Sequence, residues 1–189
     1  SLYDFAGVSD EETVTDGAQR KIQLRYKWLV INLGTAFLAA FTVGQFEGVL
    51  SKFVLLAVYM PIVAGMGGNS ATQTLAVMVR GIALRQVDLS TAYRTLRSEL
   101  GSGLANGLIN GLLVALVVLI VNRDAKIALI LALAMVVNLL VAATFGTMVP
   151  LIMSKLKKDP AASATIFITT ATDVLGFLVF LGLATLILM

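Results

Sequence analysis

Four long stretches without a charged residue limit the environments in which this chain can fold. They cover residues 28–46, 53–79, 100–122 and 127–154, and a fifth, 160–189, holds a single charge, Asp173. A helix that crosses a bilayer needs about 20 mainly apolar residues. Charged residues make up 13% of the chain, against about 25% in soluble domains. The sequence therefore predicts an all-α, polytopic protein of the cell membrane with five transmembrane helices in a lipid bilayer.

The basic residues are distributed unevenly between the two ends of these stretches. Eleven of the fourteen Lys and Arg fall before the first stretch, between the second and third, or between the fourth and fifth. Because positive charge stays on the cytoplasmic side, we expect a cytoplasmic N-terminus. The same bias accounts for the pI of about 9.3, so we expect no nucleic-acid partner.

The ends of the apolar stretches suggest how the chain is organised. Residues 1–19 carry five acids and no Lys or Arg. We interpret 1–20 as a cytoplasmic linker or linking helix that follows a missing soluble part, and 21–189 as a five-span transmembrane pore domain. The polar segment 81–99 is expected to lie on the cytoplasmic surface as a short amphipathic helix. Asp159 and Pro160 fit the N-cap and first position of the last helix.

The chain contains neither cysteine nor histidine. Thiolate and imidazole metal sites are therefore excluded, and any bound metal must use oxygen ligands, which favours Mg²⁺, Ca²⁺ or Mn²⁺. Without histidine there is also no evident pair of nucleophile and base, so we do not expect an enzyme.

Asp173 is the strongest candidate for an ion-binding residue. It falls near the middle of the last predicted span, where a charged side chain costs at least about 2.5–3.5 kcal/mol and usually marks an ion path. Thr165 and Thr169 lie eight and four residues earlier, on the same helix face. One alternative is a protonated Asp173 bonded to a neighbouring helix; another is that each threonine bonds its own preceding carbonyl.

A glycine-rich polar segment, 61–74, interrupts the second predicted span. A break in a helix at this depth is tolerated only against protein or water. Such a break would expose the carbonyls of Gly65 and Gly68 beside the Asn69 and Thr72 side chains, as ligands for a hard cation. A plain kinked helix is the alternative.

Small and amide residues in the later spans favour helix packing. Gly103, Gly107 and Gly111 recur every four residues, which we interpret as a packing face rather than a pore lining. Asn106, Asn110 and Asn138 are candidates for hydrogen bonds between helices.

These motifs resemble the MgtE magnesium channel family. The resemblance rests on segment 61–83, with Gly-Gly-Asn, Gln73 and Arg80-Gly-Ile-Ala, and on Asp159-Pro-Ala followed by Asp173. It implies a homodimer with a pore on its two-fold axis, in which Asp173 binds largely hydrated Mg²⁺. It also implies that the positions of Thr169, Gly65 and Gly68 line the pore, that Asp159 lies at the cytoplasmic mouth, and that a regulatory cytosolic domain accompanies the full-length chain.

The sequence departs from the family pattern at Ala71 and Thr72, where members often have Gly and Asn, and some have Asn at the position of Thr165. These differences bear on whether the cation is Mg²⁺, Mn²⁺ or Co²⁺. A divalent cation channel is the first interpretation. A cation-coupled Mg²⁺ exchanger and a non-conducting membrane sensor subunit remain alternatives.

Overall fold

The computed structural model describes residues 11–88, 90–156 and 160–189, except for the side chains of 160–163. The described residues form six helices and no strand. They are α1 Ala18–Gly44, α2 Glu47–Lys52, α3 Leu55–Ala83, α4 Ala92–Val121, α5 Ala125–Lys155 and α6 Pro160–Leu188. Residues 1–10 of the predicted linker lie outside the described part, and α1 already begins at Ala18, inside the remainder of that linker.

Four of these helices are long and apolar enough to cross a membrane: α1, α4, α5 and residues 164–188 of α6. The chain is a multi-pass membrane protein, as predicted. α3 has 29 residues, about 43 Å at 1.5 Å per residue, but its polar segment around Asn69 lowers its mean hydropathy. The fifth span and the cytoplasmic N-terminus stay predictions.

Two expectations about secondary structure are wrong. α3 runs without interruption from Leu55 to Ala83, through Pro61 and the glycines. A continuous helix keeps backbone groups paired where water is scarce, and a proline removes only one of those pairs. Segment 81–99 is not a separate surface helix either. Its residues 92–99 are the first two turns of α4, because helical hydrogen bonding continues past the point where the apolar stretch begins.

α5 is the central helix of the bundle. It packs against α3, α4 and α6, while α1 packs mainly against α6. Its buried residues include Ile130, Leu131, Met135 and Leu139, which belong to the largest apolar cluster. The Asp124 carboxylate caps its first turn by accepting a hydrogen bond from the Ile127 N–H at 3.0 Å.

The predicted glycine face of α4 is a packing face. A Cβ on Gly103 would lie 3.0 Å from the Leu139 carbonyl oxygen, one on Gly107 would lie 2.8 Å from the Val136 Cα, and one on Gly111 would lie 2.9 Å from the Ala132 carbonyl oxygen. These contacts are with the backbone of α5. The three glycines therefore allow α4 and α5 to approach more closely than any larger residue would permit.

Candidate functional site

A buried amide on α5 joins the two helices that carry the predicted site. Asn138 is fully buried, and its Nδ2 donates to the Val63 carbonyl oxygen of α3 at 2.7 Å. A Cβ on Gly67 of α3 would collide with this amide, and one on Gly176 of α6 would lie 2.8 Å from its Nδ2. The predicted interhelical bond of Asn138 is thus confirmed, and it sets Gly67 and Gly176 at the same depth.

A second contact fixes the direction in which α3 and α6 pass each other. Ala71 and Leu75 of α3 share one buried apolar cluster with Ala164 and Ile168 of α6. Moving along α3 from Gly67 to Leu75 therefore corresponds to moving back along α6 from Gly176 to residues 164–168. The helices are antiparallel.

This register places the predicted ligands of the two helices at one depth. Asp173 lies between the two contacts on α6, level with residues 68–71 of α3, and Thr169 lies level with residues 71–75. Asn69 and Thr72 are exposed, while Gly68, Thr169 and Asp173 are half-buried. Each keeps surface that the bundle does not cover. Gly65 is also exposed, and it lies about one turn before Asn69 along α3.

The Asp173 carboxylate has no hydrogen bond or ion pair with any part of the chain that the structure describes. It lies at the middle of α6 and is half-buried. Within the described residues there is no group of three or more His, Cys, Asp or Glu side chains that could hold a metal ion. The chain thus offers a single carboxylate here, which suits an ion that keeps most of its water.

The hydroxyl groups beside Asp173 are oriented by their own helices. Thr169 Oγ1 donates to the Thr165 carbonyl at 2.9 Å, and Thr72 Oγ1 donates to the Gly68 carbonyl at 2.8 Å. For Thr169, the predicted alternative of a bond to a preceding carbonyl is the arrangement observed; Thr72 forms a bond of the same kind. A hydroxyl that donates its hydrogen bond to a carbonyl keeps its two lone pairs free to accept other hydrogen bonds. Such oxygens accept hydrogen bonds from the waters of a hydrated cation.

The glycine carbonyls, Thr165 and Asp159 were also predicted to belong to the site. The Gly65 and Gly68 carbonyls lie within a continuous helix, which leaves each a second lone pair, and that of Gly68 already accepts the hydrogen bond from Thr72 Oγ1. Their role as ligands stays a prediction. Thr165 is half-buried one turn before Thr169. Asp159 lies outside the described residues.

Sequence reasoning missed a polar cavity between α3 and α4 that contains Glu99. The glutamate follows Arg94 and Arg97 in the sequence, which made it resemble an ordinary interfacial charge. The predicted cross-helix bonds of Asn106 and Asn110 are wrong. Asn110 Nδ2 donates to the Asn106 carbonyl at 2.8 Å, and Asn106 Nδ2 donates to Ser102 Oγ at 3.3 Å, all within α4.

Comparison with known proteins gives a consistent family. Residues 60–183 match the model of the MgtE family, described as divalent cation transporters. Similar proteins include three named magnesium transporter MgtE. The one from Bacillus subtilis is 32% identical over 181 residues, covering 96% of this chain and 40% of the relative. The one from Enterococcus faecalis is 30% identical, covering 97% and 41%, and the one from Thermus thermophilus is 32% identical, covering 87% and 36%. The chain thus spans about two fifths of the length of these relatives.

Proposed function

Because the chain belongs to the MgtE family of divalent cation transporters, we propose that it passes Mg²⁺ across the cell membrane, with Asp173 as the ion-binding carboxylate. One observation supports this most directly. Asp173 is a half-buried carboxylate without a protein partner in the described structure, halfway along a membrane helix. An unpaired charged side chain at that depth has a high free-energy cost unless a cation or a water-filled path lies beside it.

The proposal includes a symmetric homodimer that brings two copies of the face that carries Asp173 together. Two Asp173 carboxylates across an axis would repel each other, and one divalent cation would neutralise both. Mg²⁺ loses its water reluctantly, so the hydroxyl oxygens of Thr72 and Thr169 and the Asn69 amide serve as partners for its hydration shell. In this arrangement, selectivity comes from charge and from hydrated size together.

Mg²⁺ uptake into vesicles containing the protein tests the carboxylate. Asp173→Asn keeps the shape of the side chain and removes its charge, so we expect uptake to fall to the level of empty vesicles. Glu47→Gln is the matched control, because it removes an exposed carboxylate from α2, far from the middle of α6. Wild-type uptake by Asp173→Asn would refute the role of this residue.

The exchanger alternative differs in what drives the flux. A channel conducts down the electrochemical gradient of Mg²⁺ alone, whereas a coupled exchanger requires a gradient of a second cation. Uptake driven only by a Mg²⁺ gradient and a membrane potential supports the channel. Flux that stops without a counter-gradient supports exchange.

A further inference from the structure

A polar cavity of about 200 Å³ separates α3 from α4. Its wall combines a carboxylate, two amides and three hydroxyls, from Ser70, Gln73, Thr74, Glu99, Ser102 and Asn106. The residues from α3 recur at three- and four-residue spacing, as do those from α4, so each helix turns one polar stripe toward the other. Such a concentration of oxygen ligands beside membrane-spanning helices needs an explanation other than packing.

The cavity is built by the same packing that joins α4 to α5. Gly103 lies so close to α5 that an added Cβ would be 3.1 Å from the Ala143 Cβ, and both residues border the cavity. α3 also packs on α5, but α3 and α4 have no extensive contact with each other in the described bundle. The two helices are therefore held apart at this level, and Ala143 of α5 forms part of the cavity wall.

Glu99 supplies the charge of the cavity. It is half-buried, and its Oε2 accepts a hydrogen bond from Thr74 Oγ1 at 3.2 Å; Thr74 is 8% exposed. Across residues 11–88, 90–156 and 160–189, no Lys or Arg forms an ion pair with Glu99. Every other polar lining group is neutral. The cavity thus carries one uncompensated negative charge among neutral oxygen atoms, and hard cations prefer this set of ligands.

The cavity is separate from the face that carries Asp173. Thr74 follows Thr72 by two residues and so lies about 200° further around α3. The residues of α3 that line the cavity are centred roughly 120° around the helix from Asn69 and Thr72, although Gln73 lies one turn from Asn69 on a shared edge. α3 therefore carries two adjacent polar surfaces, and none of the residues that line the cavity belongs to the proposed ion path.

We propose that this cavity is a second site for a hydrated divalent cation, with Glu99 as its charged ligand. A bound ion bridges the carboxylate of α4 and the amide or hydroxyl oxygens of α3, and so it holds together two helices that otherwise have little direct contact. The site is defined by equilibrium binding and does not depend on whether the Asp173 path conducts.

Mn²⁺ is a suitable probe because its paramagnetism allows free and bound ion to be counted by electron paramagnetic resonance. Measurements start from purified protein carrying Asp173→Asn, in which the other proposed site has lost its charge. We expect this variant still to bind Mn²⁺. Adding Glu99→Gln should raise the half-saturating concentration about tenfold or more, because a unit charge is the strongest attraction that a nearby cation feels.

Two further variants separate binding from folding. Glu47→Gln, added instead of Glu99→Gln, removes a remote exposed carboxylate and should leave the binding curve unchanged. Glu99→Asp keeps the charge on a shorter arm, and we expect weaker but saturable binding. Identical binding curves with and without Glu99→Gln would overturn the proposal, and so would the absence of Mn²⁺ binding in Asp173→Asn protein that retains wild-type helix content.

A flux measurement distinguishes this outcome from a failure of the proposed function. If Asp173→Asn transports normally while Glu99→Gln loses Mn²⁺ binding, the cavity site stands and the conduction path is wrong. If Asp173→Asn loses transport and Glu99→Gln binds Mn²⁺ as before, the conduction path stands and the cavity site is wrong.

Discussion

Replacing Gly107 by alanine should destabilise the protein although alanine is the better helix former. The new Cβ would lie 2.8 Å from the Val136 Cα and 3.3 Å from the Val136 carbonyl oxygen, whereas carbon atoms pack best at about 3.5–4.0 Å. Both obstructing atoms are backbone, so no side-chain rotation relieves the overlap. α4 and α5 must separate by roughly 1 Å at this point, against the optimum contact distance.

The expected magnitude is the difference between two effects. Overpacking a close contact costs about 1–3 kcal/mol, and replacing glycine by alanine within a helix returns about 1 kcal/mol. Because the overlap is with backbone, we expect a net loss of about 1–2 kcal/mol. For a chain of this size, that corresponds to a fall of about 2–8 °C in the thermal midpoint.

Gly101→Ala is the matched control on the same helix, because nothing lies within 4 Å of its added Cβ. It should leave the midpoint unchanged or raise it. The assay is thermal unfolding of both purified variants in one detergent, followed by circular dichroism of the helix band. If Gly107→Ala unfolds at the same temperature as Gly101→Ala or above it, α4 and α5 do not pack as described.

Three other expectations follow from single contacts. Gly67→Ala should lower the thermal midpoint less in an Asn138→Ala background than in the wild type, since the three atoms nearest to the added methyl group all belong to that amide; equal losses in both backgrounds would contradict the contact. Hydrogen bonds from Ser90 and Thr91 lower the pKa of Asp88 below 3.8. The stabilisation of this turn should therefore be complete above pH 3.8 and disappear as the pH falls through the lowered value. Amide exchange at Thr91 reports this loss, and Asp88→Asn should remove its pH dependence. Asp124→Ala deletes the cap of α5 and should cost about 1 kcal/mol in thermal unfolding; an unchanged midpoint would show that the cap is dispensable.

The lengths of the stretches without charged residues were sufficient to predict most of the helices. The apolar stretch 127–154 corresponds to α5, and 160–189 corresponds to α6, with ends displaced by only a few residues. Hydropathy was less informative where helices continue into polar sequence, as at the beginning of α4. It also failed at Pro61, because the loss of one hydrogen bond does not end a helix whose remaining bonds have no competing partner in lipid.

The candidate residues differ in how visible they are in the sequence. Asp173 is isolated in an apolar stretch, so it can be chosen as a candidate without a structure. Glu99 lies close to arginines in the sequence, and its hydrogen-bond partner Thr74 is 25 residues away and on another helix. Only the pairing of α3 with α4 above α5 brings the two together, and hydrophobic periodicity along one helix contains no information about that pairing.

The central position of α5 has a consequence for biosynthesis. α1, α3 and α4 precede it in the sequence, and no two of these three are in extensive contact in the described bundle. Because a chain emerges from the ribosome starting at its N-terminus, the first three long helices enter the membrane with few native neighbours. A nascent chain stalled before residue 125 should remain a loose set of segments, open to chaperones and proteases, and consolidation awaits translation of the last third of the sequence.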